Sequence, residues 1–371
     1  MHIEIVPYTE VMEDAVGAFN ARLRAGGVFQ SLPKEHISER LPRIDDRKIF
    51  QEYFLAVDGS SVAGGYTFMH QQFSFRGNIK SMPCFGLPIS EGIVNKTYVG
   101  VGPVVFRDAL ARQPLMFTVG IGSTDAVVTK MLIAMGWSIY VIPFYFKVNK
   151  PLRFLRNITH LRKTKFRRLV LDILALTGLG WIGVKLLRVA SKYHWNLKRS
   201  VVAEEVSDFS QWADELWDVC NLNYSMMAVR DSATLNILYP AKSDRFIRLK
   251  VSRGTELIGW AVVLDTQMQN HNYFGNMRTG SIADCLALPE NAEGVIQAAT
   301  RFLEVRGVDL LISNQSHSSW CSALGNLGFI RGPSNFVFAA SRKLTDLLNP
   351  FEATVVDIHV NRGDGDGPIH L

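Results

Sequence analysis

Two stretches decide the reading of this chain: Thr124-Asp-Ala-Val-Val-Thr-Lys-Met-Leu-Ile-Ala-Met-Gly-Trp137 and Ser319-Trp-Cys-Ser-Ala-Leu-Gly-Asn-Leu-Gly-Phe329. Each opens on hydroxyl residues that can cap a helix, continues with helical spacing and stops at a Gly-aromatic pair. Each follows a buried-strand pattern, Pro114–Val119 in the first case and Val308–Ser313 in the second, and precedes another, Trp137–Phe146 and Phe336–Ala340.

Working outward, the flanking elements also recur. Upstream of the first stretch, His2–Val6 alternates as a strand, and Glu10–Ala25 is helical, stopped by Gly26-Gly27. Gln51–Val57 and Val62–Phe68 flank Asp58-Gly59 as a hairpin, and Pro103 opens a helix through Leu110. In the second half Trp212–Tyr224 is helical, and Arg245–Ser252 and Leu257–Leu264 form a hairpin around Arg253-Gly254. Ser281–Leu288 is a strand and Ala292–Val305 a helix ended by Gly307. A period of roughly 150 residues is too long for a solenoid and predicts two similar domains. Length agrees, because a single core stops growing beyond ~250–300 residues and this chain has 371.

Hydrophobic residues make up 47% and charged residues 20%, which excludes a disordered chain. Cys84, Cys220, Cys285 and Cys321 are scattered without paired spacing, so neither a disulfide framework nor a metal site is expected. The N-terminus has no apolar signal segment, and a cytoplasmic location is the default expectation. The net charge of +6 is unevenly spread. Residues 150–199 hold thirteen Lys or Arg against one acid, Asp172, leaving 27 basic and 33 acidic residues elsewhere. Two mildly acidic bodies flank a basic segment that suits an anionic surface.

The twice-repeated order, with its two Gly-aromatic helix ends, resembles the acyl-CoA N-acyltransferase (GNAT) superfamily. Thr97-Tyr-Val-Gly100-Val-Gly102 stands where that family has an Arg/Gln-x-x-Gly-x-Gly/Ala loop. The tandem arrangement is also similar to Fem-type aminoacyl transferases and mycothiol synthase. Phe19–Gly27, Leu87–Gly92 and Arg362–Pro368 prompt a comparison with two-domain GNAT proteins of bacterial exopolysaccharide clusters. The resemblance implies an α+β fold of two tandem domains, each a mixed, mainly antiparallel sheet flanked by helices. The expected bounds are 1–149 and 201–345, with a basic helical linker at 150–200 and a flexible tail at 346–371. It further implies acetyl-CoA, or another acyl-CoA, as co-substrate.

The loop has a physical reason. Coenzyme A presents a pyrophosphate, and glycines let backbone N–H groups approach it while the following helix adds its positive end. Thr97, Val99, Gly100, Val101, Gly102 and Val104 are therefore the candidate donor-binding residues, with Lys96, Arg107 or Arg112 for the remaining phosphates. Gly120-Ile-Gly122-Ser-Thr-Asp125 lacks the third glycine of a dinucleotide fingerprint and follows the wrong strand. Three features depart from the family. Thr97 replaces Arg or Gln. Leu132 and Leu324 stand where a tyrosine often protonates the leaving thiolate. Leu288–Gly294 in the second half has no Gly-x-Gly.

N-acyl transfer needs a group to take the amine proton. Glu91, just before the loop, Asp284 in the apolar strand Ile-Ala-Asp-Cys-Leu, and His317 before a helix start are the candidates; a solvated loop acid, a capping acid and a plain loop histidine are the alternatives. His70, with Gln71 and Gln72, could line a sugar or peptide pocket. Asp364-Gly-Asp366-Gly lacks the remaining ligands of a calcium loop.

Leu169–Leu187 is apolar apart from Asp172, Thr177 and Lys185, but carries three glycines. A spanning helix needs ~20 apolar residues, so interfacial docking on the inner membrane is expected rather than crossing, with a packed connector as the alternative. A third option is that the basic patch binds RNA, as a Fem-like transferase using aminoacyl-tRNA would require, but no nucleic-acid-binding motif supports it. A small-molecule or glycan amine is the expected acceptor.

Overall fold

The computed structural model describes residues 2–44, 46–162, 164, 171 and 201–365. The apolar part of the basic linker, Leu169–Leu187, lies outside them but for Leu171, and so does its expected membrane docking. Among the described residues no helix is long and apolar enough to cross a membrane.

The strands of the first half are β1 (Ile3–Pro7), β2 (Phe50–Asp58), β3 (Ser61–Phe75), β4 (Asn78–Ser90), β5 (Phe117–Val119) and β6 (Ser138–Val141). Those of the second are β7 (Phe144–Val148), β8 (Val201–Val206), β9 (Met226–Ala228), β10 (Ile247–Arg253), β11 (Glu256–Gln267), β12 (Arg278–Ala287), β13 (Leu310–Asn314), β14 (Ile330–Gly332), β15 (Val337–Ala340) and β16 (Ile358–His359).

The chain forms two compact units, and neither is contiguous. One comprises Met1–Ser74, Asn78–Val141 and Val337–Thr354; the other Phe75–Gly77, Ile142–Phe336 and Val355–Leu371. This corrects the expected bounds of 1–149 and 201–345. It also corrects the reading of Trp137–Phe146 as one strand. The run breaks at Ile142-Pro143, where proline has no N–H to continue a ladder. Upstream, β6 stays in the first unit; downstream, β7 belongs to the second. Conversely β15, expected to close the second domain, lies in the first.

In the first unit the strands run β1-β2-β3-β4-β5-β15-β6. β2 and β3 form the predicted hairpin, turning on Gly59 at φ 61°. β4 and β5 are parallel and meet at a single pair, Cys84↔Phe117, after which they part. β15 is antiparallel to both of its neighbours. One core gathers Phe54, Tyr66, Phe68, Phe85, Val105, Phe106, Leu132 and Trp137, and so collects the helices Val101–Arg112 and Val127–Ala134. A second gathers Val16, Phe19 and Leu23 of the helix Glu13–Ala25 with Leu32, Leu55 and Ile89. The period of three and four along that helix sends one stripe inward.

In the second unit a seven-stranded sheet runs β14-β7-β13-β12-β11-β10-β8. β12 and β13 are parallel over Thr279–Ile282 and Leu310–Ser313, then part. The helix Ala292–Val305 buries Val295, Ile296, Ala299 and Leu303. Gly259 lets it lie close, because a Cβ there would stand 2.5 Å from Val295 Cγ2. The tail expected to be flexible is folded through Asp364. Phe351–Thr354 is helical, and β16 pairs with β9 in parallel, Ile358 opposite Met226. Asn361 and Asp364 are wholly buried.

Candidate functional site

In the first unit the predicted loop lies between β4 and the helix Val101–Arg112. A short 3-10 turn, Lys96–Tyr98, is capped by Asn95, whose side chain accepts the Thr97 N–H at 3.1 Å. Gly100 is the helix N-cap, and Val104 N–H donates to its carbonyl at 3.4 Å. The Val101 side chain is fully buried, which fixes where the helix begins. The opening amides of a helix lack intrahelical acceptors. At Gly102 no heavy atom comes within 4 Å of where a Cβ would be, so its backbone face is open to an approaching group. Thr97, Val99 and Gly100 are exposed. Glycine at 100 and 102, with a helix start behind them, fits a pyrophosphate.

Glu91 holds this loop in place. Its two oxygens accept from Arg22 Nε at 3.0 Å and Nη2 at 2.8 Å, and Arg22 Nη2 also donates to the Val62 carbonyl at 2.6 Å. A bidentate guanidinium–carboxylate pair fixes geometry as well as charge. Next to it, Gly92 leaves no room for a side chain, since a Cβ would stand 2.6 Å from the Tyr98 carbonyl oxygen. Of the cations expected to meet phosphates, Lys96 and Arg107 are exposed. Arg112 is instead committed to Asp108 at 2.7 Å and lies 4.6 Å over the Phe54 ring.

Just before Glu91, Leu87 adopts φ 47° within β4. A non-glycine residue in that region costs ~1–3 kcal/mol and marks a backbone held against its preference. It breaks the pleat where β4 has already parted from β5. The diverging edges can receive an extended, amide-bearing arm in the way an added strand is received.

The other predicted residues lie elsewhere. His70 is nearly buried, 2.7 Å from Glu52 and stacked on Phe50 at 4.4 Å, so it does not line an open pocket. Leu132 and Leu324 are fully buried apolar residues, and neither position offers a proton.

Asp284 and His317 belong to the second unit. Asp284 is fully buried and saturated. Its Oδ2 accepts from Arg230 Nε at 2.8 Å and Tyr239 Oη at 2.6 Å; its Oδ1 accepts from Asn361 Nδ2 and from the Cys285 N–H, both at 2.9 Å. The reading of Asp284 as a base is therefore corrected: no external amine reaches it. Arg230 Nη2 donates to Asp364 Oδ1 at 2.6 Å. One buried cation thus serves two buried carboxylates. Burial pushes the Asp364 carboxyl up to about 6 against the pull of Arg230. Sequence reasoning missed Arg230 and Tyr239, which only end apolar runs, and Asn361, which sits in a polar stretch.

His317 caps the helix Ser318–Asn326 by accepting the Ser319 N–H on Nδ1 at 3.1 Å. Burial holds its pKa below the usual value, so the ring is neutral near pH 7. The start of the helix Ala292–Val305 is flanked by a cavity of about 280 Å³ lined by Glu290, Glu293, Ser318, Ser319 and Ser322. Two carboxylates at a helix start oppose a pyrophosphate there.

No family model and no curated protein matches the chain by sequence. Solved structures do match its fold. A conserved protein of unknown function from Enterococcus faecalis, described as a probable N-acyltransferase, has TM-score 0.53 and 8% identity over 94% of this chain and 74% of its own. The GCN5-related N-acetyltransferase from Anabaena variabilis has TM-score 0.50 and 10% identity over 91% and 72%. The Saccharomyces cerevisiae N-myristoyltransferase with bound myristoyl-CoA has TM-score 0.50 and 8% identity over 91% and 78%. The chain has the GNAT fold. The likeness spans both units.

Proposed function

We propose that the protein is an acyl-CoA-dependent N-acyltransferase whose first unit binds the donor. The observation that carries this reading is the loop at Gly100 and Gly102, open at Gly102 and backed by a helix start, beside a strained β4 that has parted from β5. The amides of Val101 and Gly102 would face the pyrophosphate, and Lys96 and Arg107 are the exposed cations nearest in sequence. An acetyl group is the favoured cargo. The acceptor is an amine of a sugar or glycan precursor of a cell-surface polysaccharide, a reading supported only by the sequence resemblance. Of the candidates for taking the amine proton, Glu91 is the one beside this loop and in the same unit. Residues 150–199 would hold the protein at the inner face of the membrane through their basic excess.

The buried leucines at 132 and 324 favour a second reading, a donor-binding module that performs no transfer. Calorimetric titration with acetyl-CoA of the wild type and a Gly100→Glu variant tests the first reading. Binding by the wild type and its loss in the variant are expected. A folded wild type that binds no acetyl-CoA overturns it. Binding without turnover over a panel of amines supports the module.

A further inference from the structure

The parallel strands β12 and β13 of the second unit part after Ile282 and Ser313, as β4 and β5 do after Cys84 and Phe117. In the second unit the chain's own C-terminal segment lies in that fork. On the β13 side, Asn361 bridges Gln315 in antiparallel fashion, and the Ser316 N–H donates to the Val360 carbonyl at 3.1 Å. The Val360 N–H donates to Ser316 Oγ at 2.7 Å. On the β12 side, the Gly363 N–H donates to the Ala283 carbonyl at 3.0 Å, and Asn361 reaches Asp284 at 2.9 Å. The segment is locked from below by Arg230, which holds Asp284 with one nitrogen and Asp364 with another. It is also cut to fit: a Cβ at Gly363 would stand 2.5 Å from both Asp284 Oδ2 and Tyr239 Oη.

We infer that residues Ile358–Asp364 are a resident occupant of the second unit's fork, so that this unit takes no acyl donor and the chain binds one donor rather than two. The segment satisfies the strand-edge groups that an extended pantetheine arm would otherwise meet, and it does so from both sides. Glu290 and Glu293 act independently in the same direction, placing negative charge at the start of the Ala292–Val305 helix. The count of one rests on the donor reading of the first unit; the occupied fork does not.

Native mass spectrometry of the full-length protein with coenzyme A counts donors per chain, and amide hydrogen exchange reports on the fork. One coenzyme A per wild-type chain is expected, and none for Gly100→Glu. The Val360 and Gly363 amides should exchange slowly, at rates unchanged by saturating coenzyme A. Two coenzyme A per chain, or loss of protection at Val360 and Gly363 when coenzyme A is added, overturns the inference. If no coenzyme A binds, the donor reading of the first unit fails. Slow exchange at the two amides then still upholds an occupied fork, and fast exchange overturns it. A Gly363→Val variant should lose this protection while the Gly100 loop keeps its affinity; unchanged protection would mean that the segment is not seated against Asp284.

Discussion

Arg230 Nε and Asp284 Oδ2 lie 2.8 Å apart with neither side chain reaching solvent, and the same guanidinium holds Asp364 at 2.6 Å. Three buried charges joined in this way add little stability while the triad is intact and cost much when one is removed. Arg230→Met should therefore destabilise the protein by about 3–5 kcal/mol, because two carboxylates lose their cation together. Adding Asp284→Asn and Asp364→Asn should recover part of that loss. Urea unfolding of the three-step series checks this, and a null effect of Arg230→Met would show that the triad is not closed to water.

The pH dependence has two opposed parts. His359 is buried with an unpartnered Nε2, and burial lowers its pKa from 6.5 to about 3. The fold thus favours the neutral ring; the stability it contributes is present above pH 6.5 and is lost as the pH falls through the window down to 3. Between pH 7 and 5 this costs about 2 kcal/mol. Asp364 works the other way. Raised from 3.8 to about 6, it contributes stability below 3.8 that is lost as the pH rises through 6. The urea midpoint of His359→Gln should fall less than that of the wild type between pH 7 and 5, and that of Asp364→Asn should fall more. Parallel curves for all three proteins would contradict the assignment.

Glu91 can be tested as anchor against base. As an anchor, its loss loosens the Ser90–Gly100 loop, and loss of Arg22 does the same. Glu91→Gln and Arg22→Met should each raise the donor KM several-fold and leave kcat within about threefold. A general base contributes roughly a hundredfold or more to rate. A fall of that size in kcat for Glu91→Gln alone, with Arg22→Met unaffected, would make Glu91 the group that takes the proton.

Gly102 separates a structural glycine from a binding one. Its Cβ position is open, and it lies inside a helix. Alanine there should fit and stabilise by up to about 1 kcal/mol, since glycine is the poorer helix former. The same methyl group would stand where the donor approaches. Gly102→Ala should thus raise Tm while weakening coenzyme A binding at least tenfold. A raised Tm with unchanged affinity would place the pyrophosphate elsewhere.

Much of this architecture was legible in the sequence because periodicity is local. The two Gly-aromatic helix ends, the hairpin at Asp58-Gly59 and the glycine loop before Pro103 each follow from a few neighbouring residues. They were enough for two GNAT-like sheets and for the candidate donor loop. Glu91 was singled out for its position, but only the fold supplied Arg22, sixty-nine residues away, as its partner.

What the sequence by itself determined is the set of elements and their order. What the tertiary structure alone decided is which strand joins which sheet and what fills each fork. A run such as Val337–Ala340 states that it is a buried strand, but its backbone groups pair equally well with any edge that presents itself. Its place beside Phe117–Val119 was set by long-range packing. Likewise the polar stretch Asn361–Asp364 has the composition of a mobile tail. It is fixed because a buried arginine, 134 residues before Asp364, meets its carboxylate in a site that excludes water, and no local pattern encodes that meeting.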